Sequence, residues 1–105
     1  MRKTVRDVLA ANAAYVERFN ERGELPLRPS RRFGIVTCLD ARLDPAQFAG
    51  AQEGEAHIIR NAGGRVTDDV LRSIVTSQKF AGTLEWFVIQ HTKCGLQYVT
   101  NEEMA

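Results

Sequence analysis

Apolar residues along this chain recur with two different periods, and the alternation between the two predicts the fold. Between residues 3 and 21, Val5, Val8, Leu9, Tyr15, Val16 and Phe19, with Asn12 in register, fall three and four apart. That spacing puts them on one face of an amphipathic helix. Gly23, Pro26 and Pro29 stop the helix and open an extended linker. Phe33-Gly-Ile-Val-Thr-Cys38 is a short, β-rich apolar run, as expected of a buried strand. Asp44-Pro45 then opens a helical turn, since proline is tolerated at the first helical position. Ala56-His-Ile-Ile-Arg60 reads as a second strand, closed by the turn residues Asn61-Ala-Gly-Gly64. Thr67 is placed to cap another helix, with Asp68 and Asp69 in its first turn where the helix dipole favours acids. Val70, Leu71, Ile74 and Val75 are its expected buried stripe, and Leu84-Glu-Trp-Phe-Val-Ile-Gln90 is a third strand.

Helices alternating with buried strands predict an α/β fold: a parallel β-sheet core flanked by helices, preceded by an N-terminal amphipathic helix. At 105 residues the chain is expected to form a single domain over 1–105. In such sheets ligands bind beyond the carboxyl ends of the strands, which directs attention to Cys38 and to the residues after Gln90. A net charge of +1 gives no electrostatic footprint for nucleic acid. The basic cluster Arg28-Pro-Ser-Arg-Arg32 is short and is expected on a solvated or interface-facing edge. No apolar run approaches the ~20 residues a membrane span needs, and residues 1–30 lack the pattern of a secretory leader. A cytoplasmic protein with no membrane and no nucleic-acid partner is the expectation.

The candidate chemistry lies in Cys38-Leu-Asp40-Ala-Arg42 and His91-Thr-Lys-Cys94-Gly95, which contain both of the chain's two cysteines. Two thiols and an imidazole are a soft donor set suited to zinc, and three ligands leave a position free, as catalytic zinc sites do. Each part also has an ordinary explanation. A cysteine in an apolar strand is commonly a small core residue, and Cys38 with Cys94 could form a disulfide, although a reducing compartment disfavours that. Asp40 with Arg42 could be a surface ion pair. If the chain stays extended, Arg42 shares a strand face with Asp40, and its fork can hold the carboxylate in a bidentate pair and keep it ionised. His57 is most simply structural, Trp86 is most simply core, and Tyr98 either lines a pocket or packs.

With Arg60-Asn-Ala-Gly63 between them, these blocks in this order resemble the β-class carbonic anhydrases, in particular the small bacterial and archaeal members. The resemblance implies one Zn2+ per chain held by Cys38, His91 and Cys94. It implies a catalytic Asp40–Arg42 dyad, in which Asp40 either takes the fourth zinc position in a closed state or pairs with Arg42. Gly95, Asn61 and Gly63 would border the substrate. The implied reaction is reversible hydration of carbon dioxide to bicarbonate by a zinc-bound hydroxide, in a homodimer or higher homo-oligomer. The stripe containing Tyr15 and Phe19 would suit packing across such an interface. Similar scaffolds hydrolyse carbonyl sulfide or carbon disulfide, and a non-catalytic structural zinc module closed by Asp40 is a further reading. Chains of that family continue well beyond the His-x-x-Cys block, so this one is expected to lack the usual C-terminal portion and to leave its third strand as an open edge.

Overall fold

The computed structural model describes residues 2–95 and 101–104. In chain order these form α1 (Lys3–Glu17), a 3-10 turn (Asn20–Glu24), β1 (Phe33–Cys38), α2 (Pro45–Ala49), β2 (Ala56–Asn61), α3 (Asp68–Ala81), β3 (Glu85–Ile89) and α4 (Asn101–Met104). β1 lies between its two neighbours in a parallel sheet of order β2-β1-β3. Thr37 is level with Arg60 on one side and with Ile89 on the other. The carboxyl ends of all three strands therefore open onto one edge, the arrangement that brings residue 38 and residue 91 together.

Every residue of β1 is buried, as the continuous apolar run predicts for a central strand covered on both faces. Phe33, Ile35 and Ala51 form the core on one face, with Ala49, Ala56 and Ile89 packed against it. The Phe87 ring meets Phe33 edge-on at 5.7 Å. The predicted helix starts are realised by side-chain caps. Asp44 accepts from the Gln47 amide with Pro45 behind it, and Thr67 accepts from the Val70 amide. Caps of this kind contribute about 1 kcal/mol each.

The structure departs from the sequence pattern in four places. α1 ends at Glu17 rather than near residue 21, and none of its residues is buried. Its apolar face, including Val5, Val8, Leu9 and Val16, is exposed. A hydrogen bond from the Tyr15 hydroxyl to the Glu53 carboxylate joins it to the body. In α3 only Val70 of the expected stripe is buried, while Leu71 and Val75 are exposed. The helix instead buries Val70, Ser77 and Ala81, a line seven and four residues apart, so small residues set its approach to the sheet. Trp86 is half-buried rather than core. The basic cluster is not simply solvated: Arg32 donates from Nε to the Gly82 carbonyl at 2.8 Å, and the Arg31 guanidinium lies 5.1 Å from the Phe33 ring centre.

Among the described residues β3 is a sheet edge, with Phe87 and Val88 about half exposed. No helix among them is long and apolar enough to cross a membrane.

Candidate metal centre

Three loops leave the carboxyl edge of the sheet, and each brings part of the site. The loop after β1 begins at Cys38, whose side chain is fully buried. The chain then turns rather than continuing extended. The Asp40 carboxylate accepts from the Arg42 backbone amide at 2.8 Å, and the Leu43 amide donates to the Asp40 carbonyl at 3.0 Å. Arg42 thus meets Asp40 through a turn, not through a shared strand face. The pair is bidentate all the same: Arg42 Nε lies 3.0 Å from Oδ1, and Nη2 lies 2.6 Å from Oδ2. The Arg42 guanidinium holds the Asp40 carboxyl far below the usual carboxylate range, against a smaller upward push from burial. The same Nη2 reaches the Lys93 carbonyl at 3.3 Å, which ties the first loop to the third.

The loop after β2 approaches the backbone of β1 from the other side. Gly63 and Gly64 both have left-handed backbones, at φ 86 and 64. A side chain at Gly64 would sit 2.8 Å from the backbone nitrogen of Cys38 and the carbonyl carbon of Thr37, so position 64 has room only for glycine. Asn61 fixes this turn with both ends of its amide: Nδ2 donates to the Arg65 carbonyl at 2.8 Å, and Oδ1 accepts the Arg65 amide at 2.9 Å. Its side chain is therefore engaged within the turn. Gln90 joins the turn to the end of β3, donating to the Gly64 carbonyl at 2.8 Å.

The loop after β3 carries His91 and Cys94. Thr37, buried in β1, donates from Oγ1 to the Ile89 carbonyl at 2.9 Å and so fixes the point where this loop departs. Lys93 adopts φ 57 and turns the chain between the two candidate ligands. His91 Nδ1 lies 2.9 Å from the Thr92 carbonyl oxygen. A carbonyl can only accept, so Nδ1 carries the proton and the lone pair stays on Nε2. That Nε2 is buried and has no aligned hydrogen-bond partner. It faces the two thiols.

The ligand atoms of Cys38, His91 and Cys94 all lie within 4.8 Å of one another. Both cysteines are free and buried, with the sulfurs 3.6 Å apart. A disulfide would require about 2.0 Å. Zinc–sulfur bonds of about 2.3 Å at a tetrahedral centre set sulfurs about 3.8 Å apart. The sulfur spacing, the orphaned imidazole nitrogen and the soft donor set all fit a zinc ion. Burial pushes the Cys38 thiol up, but the adjacent His91 imidazole, the backbone amides of Asp40 and Gly63 and the Cys94 thiol bring it down to about 7. Cys38 is thus partly thiolate near neutrality, the form that binds metal.

Asp40 stands at the rim of this cluster, with Oδ2 3.8 Å from His91 Nε2. It faces Arg42 and is not among the three clustered donors. Of the remaining sequence-predicted residues, Gly63 is at the Cys38 sulfur through its amide. Gly95 is exposed, and a side chain there would meet no described atom within 4 Å. Tyr98 lies outside the described residues. His57 is remote from this edge and bonds to Ser77 Oγ at 2.6 Å. Sequence reasoning alone does not find Thr37, Gly64 or Gln90 as supports of the site. Only the double glycine after β2 hints at a close backbone approach.

The family model described as carbonic anhydrase matches residues 33–104. The chain is 48% identical to β-carbonic anhydrase 1 of Mycobacterium tuberculosis over 97 residues, which is 92% of this chain and 58% of that protein. It is 47% identical to the carbon disulfide hydrolase of Acidianus over 76 residues, 72% of this chain and 37% of that one. Among solved structures, the carbonic anhydrase of Streptococcus mutans superposes with a TM-score of 0.88 at 48% identity, covering 99% of this chain and 62% of that one. The chain spans less than two thirds of the length of these relatives.

Proposed function

The chain belongs to the β-carbonic anhydrase family, and from that premise we propose that it hydrates carbon dioxide reversibly to bicarbonate. The observation that carries this reading is the buried Cys38–His91–Cys94 donor set with an arginine-held carboxylate at its rim. Those three residues would hold the zinc ion. When bound, zinc acidifies water and polarises substrate oxygen as a Lewis acid.

The chain's own residues divide the rest of the work. Asp40 is held too acidic by Arg42 to store a proton near neutrality, and a general base works best with a pKa near the operating pH. Its role is therefore to accept a hydrogen bond from the attacking water and aim the oxygen lone pair at carbon. The proton leaves to buffer. Arg42 supplies the charge and the fork that fix the carboxylate, and through the Lys93 carbonyl it keeps the two ligand-bearing loops in register.

Carbon disulfide hydrolysis is the second reading, because relatives with that activity match at 47% identity. Stopped-flow hydration of carbon dioxide by the zinc-loaded chain, beside sulfide release from carbon disulfide, separates the two. Carbon dioxide turnover that rises between about pH 6.5 and 9 is the expected result. Sulfide release without carbon dioxide turnover would transfer the assignment to the second reading. Neither activity, with zinc bound, would leave a structural zinc module.

The exposed apolar face of α1 points to assembly with a second copy of the chain. Sedimentation is expected to give at least twice the mass of one chain. Val8→Asp with Val16→Asp should return it to the monomer, and a native chain that sediments as a monomer would refute the assignment.

A further inference from the structure

The chain from Leu39 to Asp44 leaves the sheet immediately after the first candidate ligand, and only one side chain from another strand grips its carbonyls among the hydrogen bonds described. Arg60 projects from β2, where it is level with Thr37, one residue before Cys38. Its Nε donates to the Cys38 carbonyl at 2.9 Å, and its Nη2 donates to the Asp40 carbonyl at 2.8 Å and the Leu43 carbonyl at 3.3 Å. The three acceptors are spread along the loop that carries a candidate ligand and the dyad. A planar fork can meet acceptors in different directions at once, whereas an ammonium is a compact point.

We infer that Arg60 is the positioning residue of the metal centre: its guanidinium clasps the carbonyls of Cys38, Asp40 and Leu43 and thereby sets the direction of the Cys38 thiolate and the Asp40 carboxylate. This inference rests on the zinc reading above. Arg60 acts through the loop backbone and not on substrate. Other supports of this loop are the Leu39 amide on the Asn61 carbonyl at 2.9 Å, the turn bonds within Asp40–Leu43 and the Arg42 guanidinium on the Lys93 carbonyl at 3.3 Å. They hold the loop at its start, within itself and at one point of the third loop, and none of them joins the Cys38 carbonyl to that of Leu43, as Arg60 does. Losing a residue that orients metal ligands from behind typically costs 10–100-fold in metal affinity.

The test compares Arg60→Met and Arg60→Lys with the native full chain. Zinc affinity is read by competition with a chromophoric chelator, the geometry at the metal by the visible spectrum of the cobalt(II) form, and the fold by far-UV circular dichroism of metal-free protein. Both variants are expected to keep the native dichroism, to bind zinc about 10–100-fold more weakly, and to show an altered cobalt spectrum. Val70→Ala, a buried change in α3, controls for lost stability and should leave affinity and spectrum native.

Native affinity and spectrum in both variants would overturn the inference. So would full recovery with lysine, since charge alone would then suffice, or an equal loss of affinity in Val70→Ala. If Arg60→Met does not fold, Arg60→Lys decides. Failure of both to fold would make Arg60 a general structural residue and overturn the inference too. A native chain that binds no zinc would instead refute the zinc reading on which the inference stands.

Discussion

Cys38→Ser and Cys94→Ser are each expected to leave the chain without zinc at concentrations that saturate the native protein. Serine nearly matches cysteine in size, so the packing around the fully buried position 38 is preserved. What changes is the donor. The surroundings of Cys38 bring its thiol down to about 7, whereas a serine hydroxyl stays protonated throughout the physiological range and is a harder ligand. With three clustered donors among the described residues, losing one should weaken binding by more than the ~10–100-fold that changes behind the ligands produce. Zinc content after gel filtration, with chelator competition for residual affinity, reads the outcome. Full stoichiometry in either variant would remove that cysteine from the ligand set.

The same site predicts the direction of the pH dependence. Protons compete with metal for a thiolate. The Cys38 pKa is lowered, so its anion prevails above about pH 7. Zinc affinity should therefore fall as pH drops below about 7, and the part due to Cys38 should level off above it.

Much of this arrangement is legible in the chain because its strongest signals are local. Phe33–Cys38 is a strand with the bounds its apolar run predicts, and the Thr67 and Asp44 caps start helices where expected. Cys38 and His91 meet because parallel strands place their carboxyl ends on one edge, which follows once the strands are known to be neighbours. The less legible parts depend on where one backbone passes another. Period alone marks Leu71 and Val75 as core, but α3 meets the sheet along Val70, Ser77 and Ala81. Strand alternation brings Arg42 to Asp40 for the wrong reason, because the chain turns after Cys38 and the Asp40 carboxylate itself caps the turn. Arg60 reads as an ordinary strand residue until the register with Thr37 shows which carbonyls lie within its reach. The amphipathic pattern of α1 is real, but its apolar face finds no cover within this chain's described residues.

Replacing Asp40 separates the two roles a carboxylate can have beside this donor set. In Asp40→Ala the three clustered donors remain, so zinc content should stay at one per chain while carbon dioxide turnover falls by about 100-fold or more, the usual scale for a group that handles a proton or its hydrogen bond in the transition state. Asp40→Asn should fall nearly as far: it retains an acceptor oxygen but loses the charge that pairs with Arg42 at 2.6 Å. Zinc lost together with turnover would make Asp40 a ligand first. Unchanged turnover with zinc retained would deny it either role. The native carboxylate is held so far below its ordinary range that it stays charged across neutral pH. Its pairing therefore favours the folded chain above the ordinary carboxylate pKa and is lost only as pH falls toward the lowered value. An acid limb in native turnover near neutrality must then come from another group, and the Asp40→Asn profile should keep the same limb at a lower plateau. If the limb disappears with the side chain, Asp40 is itself the titrating base, and the orienting role assigned to it fails.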